Sequence, residues 1–351
     1  MKIRRIYVAL MAVAALAAAC QKETTPEDRP VVDEMARAYV LNEGLWGNND
    51  GSLTLLDYNS GAASNEYFAA QNGRGLGDVA QTAAIYGSKL YIVVWGSNTL
   101  EIAQAADAKA LKQISFAGKS PRCVAFYGSK AYVGCYNKYV YAIDTATLMV
   151  TDSCRLTGMQ PEGMCVAGDK LCVSSGWEYD ANGGTVFDNT MSVVDLGTFS
   201  EVRKVQVGLN PAKVMAIDGH RVLLNYWGDY GSVKSGLQIV DLDDDTTEEL
   251  GFEATGFDMR EGQVYSYSFS YTTGKTEIRK TDLATKSSTV LEIGEGIKSL
   301  YGISVNPHNG DILLTDSRQF RSSGDVHCYS ASGAKKWVAE AGKGPSKVIF
   351  L

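Results

Sequence analysis

A β-hairpin is encoded by residues 122–136, RCVAFYGSKAYVGCY. An apolar segment leads into the turn Gly128-Ser129-Lys130, and a second segment rich in Val and Tyr follows it. Strand-favouring residues on both sides of a glycine-containing turn are typical of two antiparallel strands. The same pattern recurs along the chain, so this hairpin is the unit from which the fold can be worked out.

The hairpin is part of a longer repeat. After it comes a third strand that ends in a hydrophobic residue and Asp, as in YAIDT (141–145), and then a fourth, more polar strand. Pro121, Pro161 and Pro211 mark corresponding entry points, 40 and 50 residues apart. The other copies are TAAIYGSKLYIVVWG (82–96), EGMCVAGDKLCVSSG (162–176), AKVMAIDGHRVLLNY (212–226), GFDMREGQVYSYSFS (256–270) and GISVNPHNGDILLTD (302–316). Four strands in each unit predict the blade of a β-propeller.

The two ends of the chain supply one more blade. The C-terminal GPSKVIFL resembles the first strand of a repeat, whereas AYVLNEG and GSLTLLDY near the N-terminus resemble the second and third strands. Pairing them closes the ring and removes exposed strand edges. We therefore predict an all-β, seven-bladed β-propeller over residues 38–351, closed by N- and C-terminal strands that share one blade. A helical solenoid is disfavoured, because no window of this region has sustained 3.6-residue apolar spacing.

The first residues predict export. Lys2, Arg4 and Arg5 precede an apolar stretch that ends at Cys20, and this stretch is too short to span a membrane. The ending LAAAC resembles a bacterial lipoprotein cleavage box, so we predict a signal peptide over 1–20 and lipidation of Cys20. The alternative is an ordinary signal peptide cut near the same alanines. Residues 21–37 are polar and predict a flexible tether to the outer membrane. The acidic Glu23, Glu27 and Asp28 after the Cys resemble a surface-export signal, so we predict the cell surface, with the periplasmic face as the alternative.

Six further cysteines follow Cys20. Cys165 and Cys172 flank the turn Gly168-Asp169 and are predicted to face each other across a hairpin, so they form the one pair that could make a disulfide. The chain is long enough to bury a core without such links, and small buried hydrophobic residues remain the alternative for all six.

The composition disfavours several kinds of function. A net charge of -7, without a basic stripe, argues against nucleic acid as a partner. The three histidines are scattered, no Gly-x-Ser-x-Gly elbow is present, and GRGLGD (73–78) lacks the Lys-Ser/Thr ending of a phosphate loop. The acidic run from Asp243 to Glu249 is typical of a solvated turn. We predict no catalytic residues, no metal and no cofactor.

One enzymatic alternative remains open. Propellers can assemble a metal site from carboxylates and amides of several blades, as in a lactonase-like hydrolase that activates water on Ca²⁺. Glu162, Asp78 and Asn210, all near blade entries, are the candidate ligands.

Aromatic residues are concentrated in one class of connection. In a four-stranded blade, the loop between the second and third strands and the entry to the first strand lie on the same rim. Four of the five tryptophans fall in these loops, whereas the turns of the opposite rim are short and polar. Long loops with stiff aromatic and arginine side chains are typical of binding surfaces. The predicted ligand-binding residues are Trp46, Trp95, Tyr136, Trp177, Tyr179, Tyr226, Trp227, Tyr230, Tyr271, Arg318 and Phe320.

A structural role competes for some of these aromatics. Tyr136, Tyr139 and Tyr226 lie at predicted strand ends, where aromatic side chains often fill gaps between neighbouring blades. The longest predicted loops are GWEYDANGGTVFDN (176–189), YWGDYGSVKSG (226–236) and SRQFRSSG (317–324). Their aromatic residues have no alternating strand pattern that would explain them in this way.

The GSKxYV-type hairpins resemble those of YncE-like seven-bladed propellers, over about residues 39–351. Together with the lipidation box, NEGLWGNNDGSLTLLD (42–57) more narrowly resembles surface lipoproteins of gut anaerobes, including the BtuG type. This resemblance implies a protein that captures a small ligand, with a corrinoid (vitamin B12) as the candidate, and passes it to a TonB-dependent outer-membrane transporter. A protein-interaction scaffold is the alternative, since one propeller fold serves many functions.

Overall fold

The computed structural model describes residues 37–270 and 273–351. The predicted signal peptide, the lipidated Cys20, the tether up to residue 36 and Tyr271 lie outside the described residues. Arg37, which was predicted to end the tether, already begins the first strand. Within the described ranges, no helix has the length and hydropathy that a membrane crossing requires.

The described chain forms seven four-stranded antiparallel sheets, which confirms the seven-bladed propeller. From the innermost strand outward, blade 1 consists of β28 (Pro345–Phe350), β1 (Arg37–Asn42), β2 (Ser52–Asp57) and β3 (Ala63–Ser64), and blade 2 consists of β4 (Ala80–Tyr86), β5 (Lys89–Val94), β6 (Thr99–Gln104) and β7 (Ala110–Ser115). Blade 3 consists of β8 (Pro121–Tyr127), β9 (Lys130–Cys135), β10 (Tyr139–Asp144) and β11 (Met149–Arg155). Blade 4 consists of β12 (Pro161–Ala167), β13 (Lys170–Tyr179), β14 (Thr185–Asp195) and β15 (Ser200–Gln206).

The last three blades complete the ring. Blade 5 consists of β16 (Pro211–Ala216), β17 (Arg221–Tyr226), β18 (Gly236–Asp241) and β19 (Thr247–Glu249). Blade 6 consists of β20 (Gly256–Arg260), β21 (Gln263–Phe269), β22 (Thr276–Asp282) and β23 (Ser288–Leu291). Blade 7 consists of β24 (Leu300–Val305), β25 (Ile312–Asp316), β26 (Ser323–Tyr329) and β27 (Lys335–Lys343). A short 3₁₀ turn, Arg318–Phe320, lies between β25 and β26.

The ring is closed by strands from both termini, as predicted. The C-terminal strand β28 is innermost in blade 1 and pairs with β1, with Tyr39 opposite Ile349 and Val40 opposite Val348. The pairing gives β1 a neighbour on each side and completes the four strands of blade 1. Both ends of the described chain are therefore held in one sheet.

The hydrophobic core lies between neighbouring blades. Tyr91 and Val93 of β5 pack with Val133 and Cys135 of β9, and every one of these side chains is fully buried. Burying a side chain of this size contributes about 1.5–3 kcal/mol, so each blade interface contributes several such increments. Second strands such as β5 and β9 are buried along nearly their whole length, because a blade covers each face of the sheet there, whereas the outer strands β7 and β11 are largely exposed.

The two rims of the ring differ in which connections between strands they carry. The turn rim carries the links between first and second strands and between third and fourth strands. The loop rim carries the links between second and third strands and the entries into the next blade. Gly128 illustrates the turn rim, because its φ of +57° fits a tight two-residue turn that few other residues adopt.

The structure departs from the predictions in three places. A short helix, α1 (Tyr67–Asn72), precedes the second blade; it buries Phe68 and ends at Gly73, in a region where we expected only β structure. The segment 176–189, predicted as a long loop, is instead the extension of β13 and β14 into a projecting hairpin. The fourth strand of blade 1 has only 2 residues.

The six cysteines of the described ring are free thiols. Cys165 and Cys172 are opposite each other in the ladder between β12 and β13, as predicted from their spacing. Five of the six are buried, consistent with the interpretation of these residues as small hydrophobic side chains.

Candidate functional site

A β-bulge lies at the loop-rim end of most inner strands. In these blades, the register between the inner strand and its neighbour skips one residue. Such a bulge frees a residue from the ladder and redirects its side chain. Within the described residues, the positions skipped singly are Gln81, Arg122, Glu162, Tyr301 and Ser346. Most of them carry a polar group at the mouth of the central channel.

Glu162 is the centre of the polar network at this mouth. Its Oε2 atom accepts a hydrogen bond from Arg122 Nε at 2.8 Å, and its Oε1 atom accepts from the Tyr136 hydroxyl at 2.6 Å and from Trp177 Nε1 at 3.2 Å. Arg122 also donates to the side chain of Gln81. Burial opposes the charge of Arg122, but Glu162 outweighs it and raises the pKa of the guanidinium further. The network fixes the aromatic rings that contact it.

These rings form a continuous row across four blades, here called the aromatic arc. Its members are Trp46, Trp95, Tyr136, Trp177 and Tyr179. Successive ring centroids are 6.3, 6.2, 6.2 and 5.1 Å apart, within the range of favourable aromatic pairs. The two ends are strongly exposed, with Trp46 72% and Tyr179 65% accessible. Five of the predicted ligand-binding residues are thus brought together.

A pocket of ≈ 290 Å³ opens beside the arc at the axis. Trp46, Trp95 and Phe320 line its apolar side, and Glu43, Gln81 and Arg122 line its polar side. Tyr301 donates a hydrogen bond to Glu43 Oε2 at 2.8 Å and packs edge-on against Phe320 at 5.1 Å. This axial pocket combines flat apolar walls with donors and acceptors, which is the usual composition of a small-molecule site.

Glu43 is the electrostatically unusual group of the axial pocket. Burial raises the pKa of its carboxyl from 4.5 to about 7, although the Tyr301 hydroxyl and Arg122 act in the opposite direction. The carboxyl therefore changes charge near neutral pH. Perturbed carboxyls in a cleft are common at functional sites.

Two of the buried loop-rim polar atoms that have no hydrogen-bond partner among the described residues lie close to the arc or to the cleft beside it. They are Trp95 Nε1, a donor in the arc, and Asn210 Oδ1, an acceptor on the entry to blade 5. Buried polar atoms are rarely left unpaired, since the loss of hydration is not compensated. A ligand lying over the rim could supply the missing acceptor and donor.

A second and larger cleft, of ≈ 620 Å³, lies between blades 5 and 6 on the same rim. Trp227 and Tyr230 line it, together with Phe252, Phe269 and Arg279. Tyr230 is 74% exposed and contacts Phe187 of the projecting hairpin, which pairs directly with Trp177. The cleft and the arc are thus neighbours across that hairpin.

Four predicted ligand-binding residues differ from simple loop contacts in their position or in their partners. Trp177 and Tyr179 lie on strand β13 and not in a loop, because the hairpin extends past the sheet. Tyr226 donates a hydrogen bond to Glu249 within its own blade and packs over Gly208 and Gly236, which fits the structural role considered for it. The Arg318 guanidinium is engaged by Asp325.

The candidate Ca²⁺ ligands have other hydrogen-bond partners. Glu162 holds a guanidinium at 2.8 Å, which opposes a second cation at the same oxygens. Both carboxylate oxygens of Asp78 accept the Gly47 N–H at 3.0 Å, and Asn210 donates to the Tyr230 hydroxyl at 3.3 Å. The guanidinium therefore disfavours Ca²⁺ at Glu162, whereas Asn210 Oδ1 has no hydrogen-bond partner among the described residues.

Sequence reasoning missed Arg122, Gln81, Glu43 and Tyr301 as parts of the site. The signal available in the sequence was the position directly after the entry proline, as in Pro121-Arg122 and Pro161-Glu162. The side chain at that position enters the site only because a β-bulge redirects it, and no local pattern of residue types predicts the bulge.

Comparison with known proteins supports the fold and gives one family match. Residues 37–202 match the family model of a domain of unknown function, DUF5074. Among curated proteins, none matches this sequence.

Several solved structures share the architecture. A quinoprotein alcohol dehydrogenase-like protein from Bacteroides thetaiotaomicron is similar at 16% identity and a TM-score of 0.66, with 90% of this chain and 78% of that chain covered. Kuenenia stuttgartiensis hydrazine synthase is similar at 14% identity and a TM-score of 0.62, with 76% of this chain and 88% of that chain covered. The Pan2 WD40 domain of Neurospora crassa is similar at 12% identity and a TM-score of 0.59, with 82% of this chain and 88% of that chain covered. At these identities the likeness shows the propeller fold alone.

Proposed function

We propose that this propeller is a ligand-binding lipoprotein of the outer-membrane surface, which captures a nutrient on its loop rim for a TonB-dependent transporter. The observation that carries the proposal is the aromatic arc, whose ends are exposed and whose middle is held by the Arg122–Glu162 network. Large exposed aromatic rings on a rigid scaffold are uncommon without a partner. The opposite rim has short turns instead.

A corrinoid is the ligand we propose first. A broad, flat ligand with polar edges could lie across the arc, where several ring faces and edges are available. The axial pocket is small and would take one edge group of such a ligand, next to Glu43, Gln81 and Arg122. The unpaired Trp95 Nε1 would donate to an acceptor on the ligand. The corrinoid itself comes from the resemblance to BtuG-type lipoproteins described above.

A calorimetric screen tests this proposal. Purified protein is titrated with cobalamin, cobinamide, haem and a glycan panel, and tryptophan fluorescence is followed in parallel. We expect binding of a corrinoid, and a loss of affinity of about tenfold or more for each of Trp95→Ala and Trp177→Ala. Tyr127→Ala, which removes an exposed aromatic ring from the turn rim, is the matched control and should leave affinity unchanged.

The outcomes separate the parts of the proposal. Absence of heat with both corrinoids rejects the corrinoid. A ligand whose affinity survives both tryptophan substitutions is bound elsewhere, and the loop rim is then wrong as the site.

The lipid anchor is tested separately, because Cys20 lies outside the described residues. Cys20→Ser should move the protein out of the membrane fraction, whereas Cys328→Ser, a change to a buried cysteine of the ring, should not. Protease treatment of intact cells then shows whether the ring faces outward. An unaltered membrane fraction for Cys20→Ser would reject the anchor.

A protein-binding scaffold is the second candidate function. The observation in its favour is the exposure of Trp46, Tyr179 and Tyr230 around one rim, which suits a flat protein surface as well as a small ligand. In that case a membrane protein should co-purify with the wild-type chain and be lost with Trp46→Ala, while the ligand screen shows no heat.

A further inference from the structure

Blade 7 contains a buried cluster of carboxylate and imidazole side chains that lines neither the axial pocket nor the cleft between blades 5 and 6. Asp316 ends β25, and Asp325 lies directly opposite it on β26. His327 follows Asp325 by two residues, so its side chain is on the same face of the strand. One ligand atom from each of the three residues lies within 4.8 Å of the others.

His327 is the observation that points to a ligand. The residue is only 6% exposed, and among the described residues neither Nδ1 nor Nε2 has a hydrogen-bond partner. A buried imidazole normally uses at least one ring nitrogen. Sequence analysis treated the histidines as scattered; the fold instead places this one against two carboxylates.

Both carboxylates retain capacity for a metal. Asp316 accepts the backbone N–H groups of Lys298, Ser299 and Arg318, which uses about three of its four lone-pair positions. Asp325 is paired through Oδ2 with the guanidinium of Arg318. Because the Arg318 side chain is 39% exposed, it can turn toward solvent when another cation takes its place.

We infer that Asp316, Asp325 and His327 form a binding site for a divalent transition-metal ion of the zinc class, in competition with the Arg318 guanidinium. One imidazole and two carboxylates are a ligand set suited to Zn²⁺, with a position left for water, whereas Ca²⁺ and Mg²⁺ prefer oxygen ligands alone. The site would bring a cation to a buried cluster that now holds two carboxylates and one guanidinium.

The test uses the fact that the chain has 3 histidines. His220 and His308 are exposed, so a His220→Gln/His308→Gln background leaves His327 as the remaining imidazole. Any polyhistidine tag is removed, and Zn²⁺ is titrated by calorimetry, with Co²⁺ as a spectroscopic probe. We expect one ion per chain with a Kd of about 10 µM or below, and a rise in Tm with Zn²⁺.

Two further variants on this background decide the assignment. His327→Leu should weaken Zn²⁺ binding at least about 100-fold and remove the Tm rise, with a circular dichroism spectrum that shows an intact fold. Arg318→Ala should strengthen binding by about tenfold, because the competing cation is gone. Arg203→Ala removes an arginine from the exposed Asp245 pair and is the matched control for charge.

Three results would overturn the site. They are the absence of both heat and a Tm rise in the background variant at millimolar Zn²⁺, Zn²⁺ affinity that survives His327→Leu, and an Arg318→Ala affinity no higher than that of Arg203→Ala.

Discussion

The third-strand aspartates of the turn rim and Glu43 of the loop rim differ in how they are held. On the turn rim, an Asp at the end of a third strand accepts hydrogen bonds from residues of the turn that follows it, and this lowers its pKa. The examples are Asp57, Asp144 and Asp282. At Asp195 the Lys170 ammonium lowers the pKa most, and Thr198 of the turn lowers it further. On the loop rim, burial raises the pKa of Glu43 to about 7, and its hydroxyl partner Tyr301 comes from another blade.

The two kinds of carboxylate differ in the sequence distance to their hydrogen-bond partners. Asp144 is satisfied by Thr147, three residues away, so its hydrogen bonds form together with its own turn. Glu43 and Tyr301 are 258 residues apart, and their contact exists only in the closed ring. The third-strand aspartates of the turn rim stabilise their own turns, whereas Glu43 and Glu162 of the loop rim bind side chains from other blades.

The largest expected effect comes from opening the ring. Deletion of residues 344–351 removes β28, and with it the partner strand of β1 and the Gly344 carbonyl that accepts the Glu43 N–H at 2.9 Å. We expect loss of the cooperative unfolding transition or a large fall in Tm, measured by calorimetry. Removal of Leu351 alone leaves β28 intact and is the control. If the longer deletion melts within a degree or two of the full chain, ring closure by β28 is not needed for stability.

The next largest effect is expected from the polar network of the loop rim. Arg122→Met leaves the Glu162 carboxylate, whose side chain is 3% exposed, without its cation. Such a loss typically costs about 3–5 kcal/mol, which urea unfolding measures. The double variant Arg122→Met/Glu162→Gln should recover most of this stability. Lys170→Met breaks the more exposed Asp195 pair of the turn rim and should cost far less. Equal losses at both rims would remove the distinction between them.

A pH series distinguishes the rims by sign. The folded-state pKa of Glu43 is raised from 4.5 to about 7, so the stability linked to its protonated form is complete below 4.5 and is lost as the pH rises through 7. This amounts to on the order of 3 kcal/mol. The turn-rim aspartates have lowered pKa values, so their contribution is lost only as the pH falls below their ordinary value of 3.8.

Glu43→Gln should therefore flatten the fall in unfolding free energy between about pH 5 and pH 8. Glu261→Gln, at an exposed glutamate of the turn rim, should retain it. Chemical unfolding at several pH values measures both. An unchanged slope in Glu43→Gln would show that burial does not perturb this carboxyl.

The smallest effect is expected on the turn rim itself. Asp144→Ala removes a side chain that bonds only to its own turn, so Tm should fall slightly and ligand affinity should not change. Thermal melts and the calorimetric titration described above measure the two quantities. A clear loss of affinity would show that the turn rim also takes part in binding.

The same distinction explains how much the sequence could predict. Strand pairs, tight turns and the closing blade follow from patterns within about 15 residues, and the repeat relates them to one another. The row of Trp46, Trp95 and Trp177 could be predicted because all three follow the core of a second strand, although Trp177 lies on an extension of that strand and not in a loop. The residues that converge on Glu43 and Glu162 could not, because their side chains are directed by bulges and meet through ring closure.

The bulged positions have a consequence for protein engineering. Residues 81, 122, 162, 301 and 346 are skipped in the register of their sheets, so exchanging their side chains leaves the strand ladder in place. Each lies on a different blade, and the cost of a substitution is confined to contacts made at the channel mouth. A library randomised at these five positions would therefore sample new recognition surfaces on a constant scaffold, one blade at a time.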